Sequence, residues 1–458
     1  MPSLIQTVKN KLQSQGGFLK SVSVLAGGTA FAQALGVLVL PIITRLYSPA
    51  EFALFAVYAS ILGILAVAAC LRFEIAIPLP EKNEDALSLF ILAVLSNITI
   101  TTLLIIVIFF FQDPILEVIQ QPQLKPFIWF IPIGVFFAGL YNALQYWTTR
   151  QKQFSTIAKT RMTQSVASSS VQIGGGYLGL GSVGLIVGQV ISFSAGILRL
   201  FISFWKESKP LYKLISITRV KENGKKYDKF PKYSTFESLA NVAAIQLPVI
   251  IIAAVAIGPE AGYLMLAMKV MAIPMGLIGG SIAQVYLSRA PLELRNGSLK
   301  LFSSQILAGL FKAGVGPLIC VGLLAPYVFS IIFGQEWGKA GEIILWMTPW
   351  FIFQFLASPI SMIMHIKGLQ AEMLLLTVSG FFLRVGAVLI AGSFAKEYVA
   401  EVYAISGGLF YLICYIVFYN NAGLNIKDHF KCLSSSVLFL IFWIILGSFL
   451  KIIFEILI

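Results

Sequence analysis

The sequence contains few charged residues. Asp, Glu, Lys and Arg make up 12% of its 458 residues, whereas soluble domains contain about 25%. Hydrophobic residues make up 58% of the chain, which is more apolar surface than a soluble core can absorb. The composition therefore excludes a soluble globular protein and indicates a protein whose solvent is lipid.

Histidine and cysteine are also scarce. The two histidines are far apart, and the four cysteines have neither the spacing of a zinc site nor that of a disulfide framework. The glycine-rich stretch QIGGGYLGLG, residues 172–181, lacks the lysine and Ser/Thr of a phosphate-binding loop. No nucleophile–base pair stands out, so we predict no catalytic residue, metal or cofactor and do not expect an enzyme.

Long apolar runs, by contrast, are abundant. Each is about 20 residues long, which is enough for a helix to cross a bilayer, and the runs are continuous rather than alternating as in a transmembrane β-barrel. The sequence therefore predicts an all-α polytopic membrane protein with twelve membrane-spanning helices and an extra C-terminal helix. The predicted spans are 20–44, 50–72, 86–111, 127–147, 158–180, 183–205, 234–257, 262–286, 302–333, 342–364, 371–394, 399–419 and 434–455.

Basic residues indicate the orientation. With the N-terminus inside, most of the 33 Lys and Arg residues fall on inner loops and span ends, where positive charge accumulates because it resists translocation. The basic segment before the first span has no cleavage site after it and is interpreted as a cytosolic leader. Trp129, Trp147, Trp205 and Trp337 fall near predicted interfaces, where we expect them to anchor the helices.

One long charged stretch divides the chain. It holds nine lysines and arginines between Lys206 and Lys232, and we interpret it as a cytosolic linker that also touches anionic headgroups. The predicted organisation is a leader at 1–19, an N-terminal lobe of six helices at 20–205, the linker at 206–232, a C-terminal lobe of six helices at 233–420, and a tail at 421–458. The tail has room for only one full span. Three arrangements stay open: the tail crosses the membrane, lies flat on it, or forms a bent pair of helices.

The two lobes begin alike. The segment YSPAEFALFAVYASILG, residues 47–63, is similar to IGPEAGYLMLAMKVMAI, residues 257–273, and each follows an apolar helix that contains a proline. Because six is even, both lobes start from the same side of the membrane. This pattern favours a parallel repeat with its axis along the membrane normal, a plan found in transporters.

Positive charges in apolar spans give the first indication of a site. A charge at the centre of a span costs about 2.5–3.5 kcal/mol on insertion scales, so it usually faces a wet interior and marks function. Long side chains near a span end can instead extend to the headgroups, and this alternative stays open for Arg45 and Lys312. The candidate cations are Arg45, Arg72, Lys269, Lys312 and Arg384.

Two carboxylates lie comparably deep. Arg72 and Glu74 are two residues apart in ACLRFEIAIPLP, so on a continuous helix they would point about 200° apart and could not pair. Glu237 and Asn241 are four apart and share one helix face. A carboxylate in either position is a candidate binding site for a proton or a sodium ion. Alternatively, the carboxylate is the counter-charge of a lysine in the cavity.

Four segments together resemble a known family. They are LPIITRLYSPAEFALFAVY, RFEIAIPLP, FPKYSTFESLANVAAIQLPVII and IIFGQEWGKAGEIILWMTP, and they resemble the Wzx-type lipid-linked oligosaccharide flippases. These belong to the polysaccharide transporter family of the multidrug/oligosaccharidyl-lipid/polysaccharide (MOP) superfamily. The resemblance covers roughly residues 18 to 420.

The resemblance implies a fold, a cargo and a site. The fold is two six-helix bundles around a central cavity that opens to either side in turn. The cargo is an undecaprenyl-pyrophosphate-linked repeat unit for O-antigen, capsule or exopolysaccharide, carried across the bacterial inner membrane. Arg72, Lys269, Lys312 and Arg384 correspond to the cationic cavity positions, and we group Arg45 with them.

The implied partners are the lipid-linked glycan, the bilayer, a coupling proton or sodium ion, and glycan polymerase and chain-length proteins, but no nucleic acid. We expect Glu237, Glu74 and Asn241 to form the ion site, with passive exchange as the alternative. A multidrug/cation antiporter would concentrate carboxylates in its cavity, whereas positive residues outnumber negative ones among the deep charges here. A peptidoglycan lipid-precursor flippase is the closer alternative.

Overall fold

The structure is a computed structural model that describes Val24 and residues 27–457. The predicted leader, 1–19, lies outside these residues. Within them the chain forms helices, turns and short connections, and no strand. The helices are α1 (Gly27–Leu46), α2 (Pro49–Ala68), α3 (Asn83–Val118), α4 (Phe130–Arg150), α5 (Phe154–Tyr177), α6 (Ser182–Leu211), α7 (Ile217–Lys226), α8 (Phe230–Val255), α9 (Glu260–Pro274), α10 (Gly280–Arg295), α11 (Leu299–Phe333), α12 (Gly338–Ala357), α13 (Gln370–Phe394), α14 (Val399–Asn421), α15 (Ile426–Ser434) and α16 (Val437–Leu457).

Ten helices of the described chain are long and apolar enough to cross a membrane. The predicted spans at 127–147, 158–180 and 262–286 are also helical, as α4, α5 and the α9–α10 pair, but they are not among these ten because they are more polar or interrupted. A π-helical turn, Met275–Gly279, joins α9 to α10. The predicted all-α multi-pass membrane fold with an extra C-terminal helix is confirmed.

The sequence determines where α2 begins. The backbone N–H of Ser48 donates to Glu51 Oε2 at 2.7 Å, and the backbone N–H of Glu51 donates to Ser48 Oγ at 3.4 Å. This reciprocal pair satisfies two N–H groups that have no partner within a helix, and Pro49 suits the first helical position because it has no N–H to satisfy. The SPAE motif is therefore a helix start that fixes the turn between α1 and α2.

Helix packing divides the described chain into two compact units. The first contains the described residues up to Ile43 together with Tyr58–Ala243, and the second contains Thr44–Val57 and the residues from Ala244 onward. The divisions fall inside α1, α2 and α8. The charged stretch 206–232 contains α7, which packs on α3 within the first unit, where Arg219 Nε lies 3.5 Å from Asp85 Oδ1.

The core of the first unit surrounds Trp147. Its ring packs against Phe90 and Phe204, at centroid distances of 6.2 and 5.2 Å, and its Nε1–H donates to Glu207 Oε2 at 3.0 Å. The expectation that Trp147 anchors at the membrane interface was wrong, because this side chain is fully buried. Trp129 and Trp205 are exposed, as an interface position requires.

Trp337 has the same role in the second unit. It is buried, its Nε1–H donates to the carbonyl of Thr44 at 2.9 Å, and its ring packs on Phe52 at 4.8 Å. The interface prediction was therefore also wrong for Trp337. Gly262 allows this packing, because a Cβ there would lie 2.2 Å from the carbonyl oxygen of Pro49. The two segments compared as a repeat thus pack directly on each other inside the second unit.

The C-terminal tail forms two helices. A capping box of Asn425 and Asp428 opens the short amphipathic helix α15, and Lys300 Nζ lies 2.8 Å from Asp428 Oδ2. The last helix, α16, packs along the second half of α11, where Gly316 allows the ring of Trp443 to approach closely. Of the three alternatives for the tail, the structure has a surface-type helix followed by one helix of spanning length.

Candidate functional site

Arg72 and Glu74 form an ion pair in the first unit. The helix α2 ends at Ala68, and Leu71 and Arg72 then adopt the left-handed conformation with φ of 49° and 62°. This reversal brings Arg72 Nη1 to 3.6 Å from Glu74 Oε1. The predicted separation of the two side chains applies only to a continuous helix, and because the helix does not continue through them they form an ion pair. Non-glycine residues seldom adopt this conformation, and it often occurs at functional sites.

Glu74 is buried although it is ionisable. It is 3% exposed, and its Oε2 atom has no hydrogen-bond partner among the described residues. Burial raises the pKa of Glu74 to about 7, because desolvation disfavours the carboxylate more than the backbone hydrogen bond and the Arg72 charge favour it. A carboxyl group with this pKa can gain and lose a proton near neutral pH.

Arg150, at the end of α4, holds the loop that follows Glu74. Its Nη1 donates to the carbonyl of Pro80 at 2.5 Å and its Nη2 donates to Asn83 Oδ1 at 3.0 Å. Sequence reasoning missed this contact, because an arginine at a helix end is usually interpreted as an interface residue. A helical turn, Phe73–Ala76, forms the first part of the loop between α2 and α3, and the Arg150 side chain holds its last part.

Glu237 and Asn241 share a face of α8, as their spacing predicted. Both side chains are exposed, and the helix continues through Pro248. An exposed carboxylate has no desolvation cost and no need of a bound ion. The geometry at Glu237 therefore differs from the buried geometry at Glu74.

Lys269 lies in the second unit and has no counter-charge among the described residues. It is partly buried on α9, and its Nζ atom lies 5.0 Å from the ring centroid of Phe55. A cation over an aromatic face gains about 0.5–2 kcal/mol, which is less than a carboxylate in a dry site would provide. Among the described residues no carboxylate oxygen forms an ion pair with Lys269, so its positive charge is available to an anion.

Arg45 and Lys312 are exposed in the second unit. The Nη2 of Arg45 donates to the carbonyl of Ile331 at 3.3 Å. Lys312 lies in a π-helical turn, Phe311–Val315, within α11. Such single turns interrupt α-helices and frequently occur at functional sites.

Arg384 differs from the other candidate cations because it is buried. It is 4% exposed, its Nε donates to the carbonyl of Gly380 at 3.0 Å, and its guanidinium carbon lies 4.7 Å from the ring centroid of Phe410. It lies between α13 and α14.

Sequence reasoning missed one acidic cluster in the second unit. Glu260 and Glu401 are buried at the starts of α9 and α14, and Lys339 Nζ lies 2.5 Å from Glu260 Oε1. Both acids lie at the edges of predicted spans, where a carboxylate is usually interpreted as a loop residue. The sequence signal that could have found them is their shared position in the first turn of a helix, where negative charge is favoured.

Comparisons with known proteins provide the remaining evidence. A family model described as "polysaccharide biosynthesis protein" matches residues 42–342. No curated protein matches the sequence at a significant level.

Solved structures are similar along most of the chain. The lipid II flippase MurJ, inward closed, has a TM-score of 0.70 and 15% identity and covers 94% of this chain and 97% of its own. An inward-facing multidrug resistance MATE family transporter of the MOP superfamily has a TM-score of 0.68 and 13% identity over 86% and 94%. A MOP superfamily transporter from Pyrococcus furiosus, described as having a binding pocket of reverse polarity, has a TM-score of 0.51 and 14% identity over 88% and 96%. At these identities the likeness shows the fold.

Proposed function

The chain belongs to the polysaccharide biosynthesis protein family, among the flippases of the MOP superfamily, and we propose that its cargo is an undecaprenyl-pyrophosphate-linked oligosaccharide repeat unit. The protein is thus a transporter, as predicted, and its action would be to move the glycan headgroup from the inner to the outer leaflet by alternating access. The products would enter O-antigen, capsule or exopolysaccharide synthesis.

The uncompensated charge of Lys269 carries this proposal. A diphosphate headgroup has at least two negative charges, and moving it through a membrane without compensation would cost many kcal/mol. A lysine that has an aromatic ring beside it but, in the part of the chain that the structure describes, no ion pair with a carboxylate can offset that charge by charge-assisted hydrogen bonds. Arg72, Lys312, Arg384 and Arg45 are the further cations that we propose for the headgroup.

The balance of charge favours an anionic cargo over a cationic drug. In the second unit the buried Glu260 already has Lys339 as its partner, so that carboxylate is not free for a cationic substrate. A peptidoglycan lipid precursor has the same diphosphate chemistry, and only its glycan differs. The cargo therefore has to be identified by its sugar.

We place the coupling proton on Glu74 rather than on Glu237. Glu74 is buried, its Oε2 has no hydrogen-bond partner among the described residues, and its pKa of about 7 lets it gain and lose a proton near neutral pH. Asn241 and Glu237 are exposed and are the second choice for this role. Passive exchange, driven by consumption of the glycan outside, is the competing mechanism.

Location and partners are parts of the same proposal. The protein would lie in the bacterial inner membrane with its N-terminus in the cytoplasm, because basic residues are concentrated on the loops assigned to that side. A glycan polymerase and chain-length proteins would take the product at the outer face.

A deletion strain tests the cargo. We expect cells without the gene to accumulate the lipid-linked glycan in the inner leaflet, where mass spectrometry identifies the sugar. Restoring the wild-type gene should clear it, and a Lys269→Gln gene should not, whereas Lys396→Gln changes an exposed lysine and should act as wild type. Accumulation of a peptidoglycan precursor, or of no lipid-linked glycan, would contradict the proposal.

A further inference from the structure

The short helix α15 connects two long helices of the second unit. Residues 422–425 join it to the end of α14, and residues 435–436 join it to the start of α16. Both neighbours are long and apolar enough to cross a membrane, so the ends that α15 connects lie near the membrane surface. A helix of nine residues, about 13 Å long, therefore lies at that surface.

One face of α15 is held on the protein. Asp428 Oδ2 lies 2.8 Å from Lys300 Nζ at the start of α11, and His429 Nδ1 lies 2.6 Å from the hydroxyl oxygen of Tyr415 on α14. Cys432, four residues after Asp428, is buried on the same side. These contacts fix the rotation of α15 and so determine which of its side chains point away from the protein.

A second face of α15 is apolar and uncovered. Ile426 is 75% exposed and Phe430 is 66% exposed, and because they are four residues apart they share one side of the helix. Exposed apolar residues follow at the start of α16, where Leu438 and Phe439 are also exposed. The apolar face of α15 is therefore next along the chain to a spanning helix whose surface is covered by lipid.

A third face of α15 is positively charged. Lys427 and Lys431 are exposed, and they too are four residues apart and share one side of the helix. This side lies about 100° round the helix from Ile426 and Phe430. Neither lysine forms an ion pair with a carboxylate in the part of the chain that the structure describes.

The other titratable groups of α15 do not cancel this charge. Asp428 is already paired with Lys300, whose hydrogen bond lowers the pKa of Asp428. Burial lowers the pKa of His429 by more than the Asp428 charge raises it, so the imidazole is neutral at neutral pH. The outward side of α15 therefore carries the uncompensated charges of Lys427 and Lys431.

A membrane surface fits these faces better than a protein does. An amphipathic helix with bulky apolar side chains on one face and lysines on the other lies in the interface plane, and lysines near the surface attract anionic headgroups. Ile426 and Phe430 by themselves are too small for a stable protein interface, which buries about 800 Å² on each partner.

We propose that α15 is a binding site for anionic phospholipid, in which Ile426 and Phe430 insert beside the acyl chains and Lys427 and Lys431 contact the phosphate groups. The bound lipid ties the ends of α11 and α14 to one leaflet, which is the cytoplasmic leaflet in the orientation proposed above. The site does not use Lys269, and its binding does not depend on the identity of the cargo.

Spin labelling of the full-length protein tests where the apolar face points. All four cysteines are buried, so a nitroxide label attaches to the single new cysteine of Phe430→Cys. In vesicles of phosphatidylcholine and phosphatidylglycerol, we expect oxygen, which enters lipid, to relax this label and an aqueous nickel chelate not to. Glu397→Cys, at an exposed position in the connection between α13 and α14, is the control whose label the nickel chelate should relax.

Two results of this experiment would overturn the proposal. Relaxation of the Phe430→Cys label by the nickel chelate would show that the apolar face is in water. Shielding of the label from both oxygen and the chelate would show that a protein surface, such as a second copy of this chain, covers the face.

Native mass spectrometry of the full-length protein in detergent tests the lysines, with phosphatidylglycerol and phosphatidylcholine as the added lipids. Lys427→Gln/Lys431→Gln should bind phosphatidylglycerol several-fold more weakly than wild type and phosphatidylcholine equally well. Lys125→Gln/Lys396→Gln is the matched control, because it removes the same charge from exposed lysines in other connections, and it should bind both lipids like wild type. Equal binding of phosphatidylglycerol by the two double variants would contradict the proposal, because only the net charge of the protein would then matter.

Discussion

At the scale of single residues, sequence patterns identified unusual charges but not their partners. The sequence placed Arg72 and Glu74 at the end of an apolar segment, and the structure has both at that place. Their ion pair depends on positive φ at Leu71 and Arg72, and no periodicity rule predicts a left-handed turn at two bulky residues. The same limit applies to Arg384, whose burial depends on how closely Gly380 lets Phe410 approach.

Glu74→Gln tests the buried carboxyl group. Burial raises the pKa of this carboxyl group from its ordinary value of 4.5 to about 7 in the folded protein, so the folded state binds the proton more tightly. The free energy of unfolding is therefore highest below pH 4.5 and falls by up to about 3 kcal/mol as the pH rises towards 7. Above pH 7 this contribution is constant. The glutamine variant should lose this slope in a Tm series from pH 4.5 to 8.

Glu237→Gln is the matched control for that series, because Glu237 is exposed. It should leave the slope of wild type unchanged. If transport is coupled through Glu74, the Glu74→Gln variant should also lose the dependence of transport on a pH gradient. A pH slope of Tm that survives in Glu74→Gln would show that another group titrates.

At the scale of helices, the sequence predicted the elements well and their packing poorly. Apolar length located the spans, and the Ser48–Glu51 pair explains why α2 starts where it does. The buried positions of Trp147 and Trp337 were not foreseen, because interface and core tryptophans look alike in one dimension. What distinguishes them is a partner elsewhere in the chain, such as the Thr44 carbonyl.

Gly407→Ala tests the close contact between α12 and α14. A methyl group at this position would meet the Trp350 ring, and overpacking of this kind costs about 1–3 kcal/mol. Gly386→Ala is the matched control, because nothing lies within 4 Å of its Cβ position and alanine has a higher helix propensity by about 1 kcal/mol. We expect a lower Tm for the first variant and an equal or higher Tm for the second. The reverse order would show that the helices are packed differently.

At the scale of the whole molecule, composition and a few motifs were enough to predict the membrane fold. The two compact units were harder to predict, because Thr44–Val57 packs with residues far along the chain. Gly262 and Trp337 decide that packing through contacts with Pro49 and Phe52. Neither residue is unusual in a sequence of this composition.

Flipping of the purified lipid-linked oligosaccharide in proteoliposomes tests the central claim most directly, with a membrane-impermeant enzyme that modifies only outward-facing glycan. We predict that wild-type protein and Lys269→Arg expose the glycan at similar rates and that Lys269→Gln is slower by tenfold or more, about 1.4 kcal/mol, because it lacks the positive charge that the diphosphate needs. Equal rates for Lys269→Gln and wild type, or no flipping by wild-type protein, would contradict the account.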